Sequence, residues 1–147
     1  MTDTMKIFHL SDLHIGLKLF NRDLDEDQDY IFAQICDAAR REQPDAILIA
    51  GDIYDKAIPS LEAVKRFDSF TADLMTAAPK AHLMMISGNH DSATRLDLFR
   101  DILQKQKLYM IGLPPQKPGE YIEKVTPEDE HGPVNFYLLP FVKPSMV

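Results

Sequence analysis

The chain has 147 residues, of which 45% are hydrophobic and 27% are charged. This size and balance suit one globular domain with a buried core, and they exclude collagen-like, low-complexity and extended disordered chains. No stretch reaches the roughly 18–20 consecutive apolar residues that a membrane span needs. The first residues also lack the basic start and apolar run of a secretory signal, so we expect a cytoplasmic protein without a membrane partner.

The charge balance bears on the class of ligand. The chain carries 16 basic and 23 acidic residues, a formal net charge of −7, which argues against a general electrostatic clamp on nucleic acid. That argument weakens if several carboxylates hold divalent cations, because two such ions return about four positive charges. The single cysteine, Cys36, excludes an internal disulfide and a cysteine metal cluster, so any metal must be held by His, Asp, Glu or Asn.

Three short apolar runs predict strands that are buried on both faces of a parallel sheet. They are residues 6–10, 46–50 and 81–86. The segment 25–42 between the first two predicts a helix, with Ile31, Ile35 and Ala38 at helical spacing. Ser60 is the predicted N-cap of a second helix, whose apolar stripe is Leu61, Val64, Phe67, Phe70 and Leu74. Strands that alternate with helices in this way indicate a layered α/β domain.

The later part of the chain changes character. Residues 94–104 predict one further helix and residues 108–111 a short strand. After a turn-rich joint, residues 121–125 and 134–139 predict two strands of a hairpin or meander, joined by the acidic turn 126–132.

Each of the three apolar runs is followed at once by polar residues. Asp12 and His14 follow the first run, Asp52 the second, and Asn89 and His90 the third. The carboxyl ends of parallel strands face one crevice, where open α/β sheets bind their ligands. We therefore expect these side chains to converge there, with Asp12 and His14 pointing the same way from an extended segment.

A ligand set of carboxylate, imidazole and amide groups suits Mn²⁺, Fe²⁺ or Zn²⁺. From the middle strand, Asp52 would bridge two ions about 3.5–4 Å apart, an arrangement used for phosphoryl chemistry. A hydroxide generated there would attack phosphorus in line with the leaving oxygen, and His90 would donate a proton to that oxygen or bond to a phosphoryl oxygen. We expect Asp55 and Asp91 to orient other groups or begin a helix instead of binding an ion.

Two other histidines have simpler interpretations. His9 lies inside the first predicted strand and is expected to be a core residue. His131 lies in the acidic turn and is expected to be solvated.

The three polar segments resemble the ordered motifs of the calcineurin-like metallophosphoesterase superfamily. Those motifs correspond here to Asp12-x-His14, Gly51-Asp52 and the segment 88–91, Gly-Asn-His-Asp. Within the superfamily the chain resembles the nuclease branch whose members pair with an SbcC-type ATPase. The stretches that carry this resemblance are HLSDLHIGLKL, AGDIYDKAIPS, ISGNHDSATRL and GPVNFYLLPFVKP.

The resemblance implies a four-layer α/β/β/α sandwich and a two-metal site, most suited to Mn²⁺. Asp12 and His14 would hold the first ion, Asp52 would bridge, Asn89 would hold the second, and His90 would be the catalytic histidine. The implied activity is 3′→5′ exonuclease on duplex DNA and endonuclease on single strands and hairpins, in DNA repair, recombination and replication. The implied partners are DNA, the ATPase subunit and a second copy of the nuclease subunit.

The family pattern also includes three histidine ligands that follow later strands. No Gly-His-x-His motif occurs in the 147 residues. We therefore expect residues 1–147 to be the N-terminal portion of the domain, without the C-terminal histidine half and the capping domain. Such a portion would bind metal weakly and have little or no nuclease activity.

Two alternatives remain open. A small-molecule phosphodiesterase or nucleotidase of the same superfamily would share all three motifs. A non-catalytic scaffold that docks a partner would need no cluster of polar groups around one crevice, and the retention of five such side chains argues against it.

Overall fold

The computed structural model describes residues 4–146. In chain order its elements are β1 (Ile7–Leu10), β2 (Lys18–Leu19), β3 (Arg22–Asp23), α1 (Asp25–Glu42), β4 (Ala46–Ala50), α2 (Leu61–Ala77), β5 (His82–Ile86), α3 (Ala93–Leu96), α4 (Arg100–Gln104), β6 (Leu108–Ile111), β7 (Glu123–Val125), β8 (Glu128–Asp129), β9 (Gly132–Pro133), β10 (Phe136–Leu138) and a 3₁₀ turn at Pro144–Met146. Strands β1, β4, β5 and β6 form one parallel sheet in that order. The predicted α/β architecture with a parallel sheet is confirmed.

One face of this sheet packs on the helices. Its innermost side chains, each at most 1% exposed, are Ile47, Ile49, Leu83 and Met85. Across them lie α1 and α2, which contact each other through the stacked rings of Phe32 and Phe70, 4.3 Å apart between centroids. Because alternate residues of a strand point to opposite faces, this packing selects every second residue of β4 and β5.

The opposite face of the sheet is only partly covered. Here Met84 and Ile111 pack on the antiparallel pair β7–β10, so β5 is covered on both faces. The edge strand β1 is not, since Ile7 is 44% exposed and His9 is also exposed. The predictions that the first strand is buried on both faces and that His9 is a core residue are therefore wrong.

The first two helices agree with the predicted positions. α1 spans the predicted residues, but its most buried apolar side chains are Phe32, Cys36 and Ala39. Of the predicted stripe, Ile35 packs against the same core, whereas Ile31 is 46% exposed. Several apolar stripes overlap on this helix, and only its docking on α2 selects one of them. The predicted N-cap of α2 is confirmed, because Ser60 Oγ accepts a hydrogen bond from the Ala63 N–H at 3.1 Å.

The predicted helix 94–104 is instead two short helices, α3 and α4. The break lies at Phe99, whose φ of +64° is incompatible with a right-handed helix and whose side chain is 69% exposed. Just before it, the Asp97 carboxylate accepts hydrogen bonds from the N–H groups of Gly112 and Leu113, at 3.0 and 3.2 Å. This contact with the segment after β6 holds the chain at the point where a single helix would have continued.

The predicted hairpin near the end of the chain is confirmed. Strands β7 and β10 pair antiparallel, with Phe136 opposite Val125, and the acidic turn between them forms the smaller hairpin β8–β9. A second small hairpin, β2–β3, lies between β1 and α1. Its two-residue strands are too short to show the alternation that predicts a strand. No helix within residues 4–146 is both long and apolar enough to cross a membrane.

The stacked pair between the two helices allows a stability test. We expect Phe32→Ala to lower the free energy of unfolding by about 3–5 kcal/mol, because it leaves a cavity between α1 and α2. Tyr30, on the same helix and 68% exposed, is the matched control, and Tyr30→Ala should change stability by about 0.5 kcal/mol or less. Urea unfolding followed by circular dichroism measures both, and equal losses would contradict this packing.

Candidate metal centre

The segments that follow β1 and β4 run side by side and continue the parallel pairing of the two strands. Beyond the strand ends, the Asp12 N–H donates to the Gly51 carbonyl at 3.1 Å and the His14 N–H donates to the Asp52 carbonyl at 3.0 Å. The pairing extends to Ile15, which forms a parallel bridge with Tyr54 in the segment after β4. This backbone register brings the first two predicted polar clusters together.

Three residues of the predicted site have left-handed backbone conformations. The φ angles are +54° at Asp12, +43° at His14 and +49° at Asp52. The segment with Asp12 and His14 is therefore not extended, and that part of the prediction is wrong. Asp and His adopt this conformation more readily than most residues, yet it still costs free energy that the surroundings must offset.

The side chains nevertheless converge as predicted. His14 Nε2 lies 3.7 Å from Asp12 Oδ1 and 3.6 Å from Asp52 Oδ2. Two ligand atoms that each lie about 2.1 Å from one ion can be at most about 4.2 Å apart. The three side chains therefore fit a shared cation, and their imidazole and carboxylate donors suit a divalent transition metal.

The segment after β5 joins this group through Asp52. The carboxylate is buried, and its second oxygen, Oδ1, accepts a hydrogen bond from the His90 N–H at 3.0 Å. Any side chain at position 88 would overlap the same carboxylate, so the close approach requires Gly88. Asn89, between Gly88 and His90 in the chain, is exposed. Asp52 thus contacts both neighbouring segments, as its middle position in the sheet predicts.

Asp55 contacts both histidines of the site. His14 Nδ1 lies 3.2 Å from Asp55 Oδ1, a contact typical of a metal-binding histidine whose second ring nitrogen is oriented by a carboxylate. His90 Nδ1 lies 2.9 Å from the Asp55 carbonyl oxygen, so that this nitrogen donates and carries the hydrogen. The two imidazole rings meet edge to face, with centroids 5.0 Å apart.

The electrostatics of the site favour positive charge. The pKa of His90 is raised, first by the hydrogen bond to the Asp55 carbonyl and then by the nearby carboxylates of Asp52, Asp55 and Asp91. The same carboxylates would attract divalent cations to the crevice.

Asp91 holds the loops of the site together. Its Oδ1 accepts from the Tyr54 N–H at 2.9 Å, and its Oδ2 accepts from the N–H groups of Ile53 and Gly88 at 3.1 and 2.8 Å. One carboxylate therefore connects the segment after β4 to the segment after β5. This contact supports the expectation that Asp91 orients other groups.

Gln28 also contacts this site, although the sequence pattern did not indicate a role for it. It is a buried residue of α1 whose side chain bonds to the backbone around His14. Gln28 is a polar residue on the same buried face of α1 as Phe32, Cys36 and Ala39, and that position is the signal that could have identified it. The misassigned face of α1 concealed that signal.

The three bonds of Asp91 lead to a stability prediction. In Asp91→Asn one acceptor oxygen becomes an NH₂ group, which leaves at least one backbone N–H without a partner. We expect the free energy of unfolding to fall by about 1–3 kcal/mol. Asp68→Asn, an exposed site on α2, is the control and should be nearly neutral; a neutral Asp91→Asn in urea unfolding would contradict the bonding described.

A family description, calcineurin-like phosphoesterase, matches residues 5–139 of the chain. The chain is also similar to two proteins that are each named as the D subunit of the nuclease SbcCD. The one from Staphylococcus epidermidis is 36% identical over 143 residues, which are 97% of this chain and 36% of that protein. The one from Staphylococcus saprophyticus is 35% identical over 137 residues, 93% of this chain and 34% of that protein. The chain spans about a third of the length of these curated relatives.

The matched region includes the whole parallel sheet and all the side chains described at its carboxyl edge. The resemblance inferred from the three polar segments is thereby confirmed. The chain belongs to the calcineurin-like phosphoesterase family.

Proposed function

We propose that this chain is part of a metal-dependent DNA nuclease that hydrolyses phosphodiester bonds. The observation that carries the proposal is the convergence of Asp12, His14 and Asp52 on one point, with His90 beside them. Membership of a phosphoesterase family and similarity to two proteins named as nuclease subunits support it.

Each ligand has a proposed role. Asp12 and His14 would hold a first divalent ion, and Asp52, whose two carboxylate oxygens face different neighbours, would be shared between the two ions. Asn89, whose neighbours Gly88 and His90 both approach Asp52, would hold the second ion. The proposed ligands offer oxygen and nitrogen donors and no thiolate, a set that suits Mn²⁺.

When bound, the ions would supply Lewis acidity, which would lower the pKa of water and offset negative charge on the phosphoryl group. The chain's own residues orient the reaction. The Asp55 carbonyl fixes one hydrogen of His90 on Nδ1 and so directs the ring. In the imidazolium form Nε2 carries a second proton, and that nitrogen donates a hydrogen bond to a phosphoryl oxygen or its proton to the leaving oxygen. Asp55 also orients His14 through its Nδ1.

We further propose the finer activities and partners that the resemblance implies. The whole protein acts as a 3′→5′ exonuclease on duplex DNA and an endonuclease on single strands and hairpins, in DNA repair, recombination and replication. It works in the cytoplasm with an SbcC-type ATPase and as a dimer of the nuclease subunit. The names of the two relatives, each the D subunit of an SbcCD nuclease, support the pairing with a further type of subunit.

The central test is the degradation of end-labelled linear duplex DNA by the full-length gene product with Mn²⁺. We expect degradation, and we expect His90→Ala to lower its rate by about 100-fold or more, because a proton or hydrogen-bond donor is lost. The control is His131→Ala, at an exposed histidine in the β8–β9 turn, which should leave the rate unchanged.

The same assay separates the alternatives. Hydrolysis of a cyclic nucleotide without degradation of DNA would assign the protein to the small-molecule branch. Folded protein that hydrolyses neither substrate at any Mn²⁺ concentration would favour a docking scaffold.

We also propose that residues 1–147 are the N-terminal portion of the phosphoesterase domain and that this chain alone binds Mn²⁺ weakly. It contributes Asp12, His14, Asp52 and Asn89, whereas the resemblance implies three more histidine ligands. Calorimetric titration of the 147-residue chain should give weak binding and the nuclease assay little activity. Tight binding of two Mn²⁺ per chain would contradict this proposal.

A further inference from the structure

Gln28 is an unusual residue for its position in the fold. It lies in the first turns of α1 on the face that packs inward, and it is only 8% exposed. Within residues 4–146 it is one of three buried polar or charged residues, with Asp52 and Ser87. Ser87 donates to a nearby carbonyl and Asp52 belongs to the metal centre, so the buried amide of Gln28 calls for its own explanation.

The side-chain amide of Gln28 makes three hydrogen bonds to one segment. Its Nε2 donates to the carbonyl oxygens of His14 and Leu13, at 2.9 and 3.2 Å, and its Oε1 accepts from the Gly16 N–H at 3.2 Å. The amide thereby bonds to three backbone groups around a proposed metal ligand, of which the His14 carbonyl also accepts from the Leu17 N–H at 3.0 Å. A buried carbonyl or N–H without a partner costs about 1–3 kcal/mol.

This segment needs external support. Asp12 and His14 both have positive φ, a conformation that persists only where the surroundings over-determine it. On one side the N–H groups of Asp12 and His14 donate to the loop after β4. Gln28 bonds to the carbonyls of the same segment from α1, so the segment is fixed between a loop and a helix.

We propose that Gln28 is a positioning residue of the metal centre, which holds the backbone of His14 so that its Nε2 points toward Asp12 and Asp52. The inference rests on the proposed metal site and deepens it. Gln28 touches neither ion nor substrate. It would act by orienting the His14 peptide. Mutation of a group that orients a metal ligand typically lowers metal affinity or activity by about 10–100-fold.

The test compares Mn²⁺ binding to the full-length gene product and its variants, by calorimetry well below the unfolding temperature. Gln28→Met keeps the side-chain length and the helix propensity but removes all three hydrogen bonds. Gln28→Glu keeps the acceptor for Gly16 and places a carboxylate oxygen against the two carbonyls. The matched control is Gln34→Met, at an exposed glutamine of the same helix.

We expect both Gln28 variants to raise the Mn²⁺ dissociation constant by about tenfold or more and Gln34→Met to leave it unchanged. The half-saturating Mn²⁺ concentration for hydrolysis of a chromogenic phosphodiester should rise in parallel. The rate at saturating Mn²⁺ should fall less, because excess metal restores the occupied site.

A purely structural role would lower the melting temperature of the metal-free protein and leave the dissociation constant of the folded protein unchanged. That result in both Gln28 variants would overturn the positioning role alone. A wild-type protein that binds no Mn²⁺ would instead overturn the metal centre, and the role of Gln28 with it.

Discussion

The candidate metal centre depends on backbone pairing between the two loops that leave β1 and β4. The strands are in register up to Leu10 opposite Ile49, and the pairing continues where the His14 N–H donates to the Asp52 carbonyl. On the other side, Asp52 reaches the loop after β5 through the His90 N–H. Because each bond joins neighbours in the sheet, the order of β1, β4 and β5 sets the order of the site residues across the crevice.

This arrangement requires unfavourable backbone conformations, which other contacts offset. Positive φ at Asp12, His14 and Asp52 costs of order 1–3 kcal/mol each. Asp91 accepts hydrogen bonds from three N–H groups in the loops after β4 and β5. The Gln28 side chain bonds the loop after β1 to helix α1. The candidate metal centre therefore consists of side chains whose segments are held by a second set of polar side chains, the half-buried Asp91 and the buried Gln28, above the apolar core.

Some features could be predicted because their signals are local. Apolar runs locate the strands, the span of α1 is predicted to the residue, and the Ser60 cap follows from its side-chain chemistry. Features that depend on packing were predicted less well. The buried stripe of α1, the exposure of His9 on an edge strand and the break at Phe99 all follow from contacts with elements distant in the chain.

By itself, the sequence determined the alternation of strands and helices and which polar side chains follow the strands. These properties depend on residue type and on short-range spacing, which the chain carries locally. Only the tertiary structure decided the left-handed conformations of Asp12 and His14, the orientation of His14 by Asp55, and the contact of Gln28 with the same segment. Those features arise from hydrogen bonds between segments 12–41 residues apart, whose geometry no local pattern encodes.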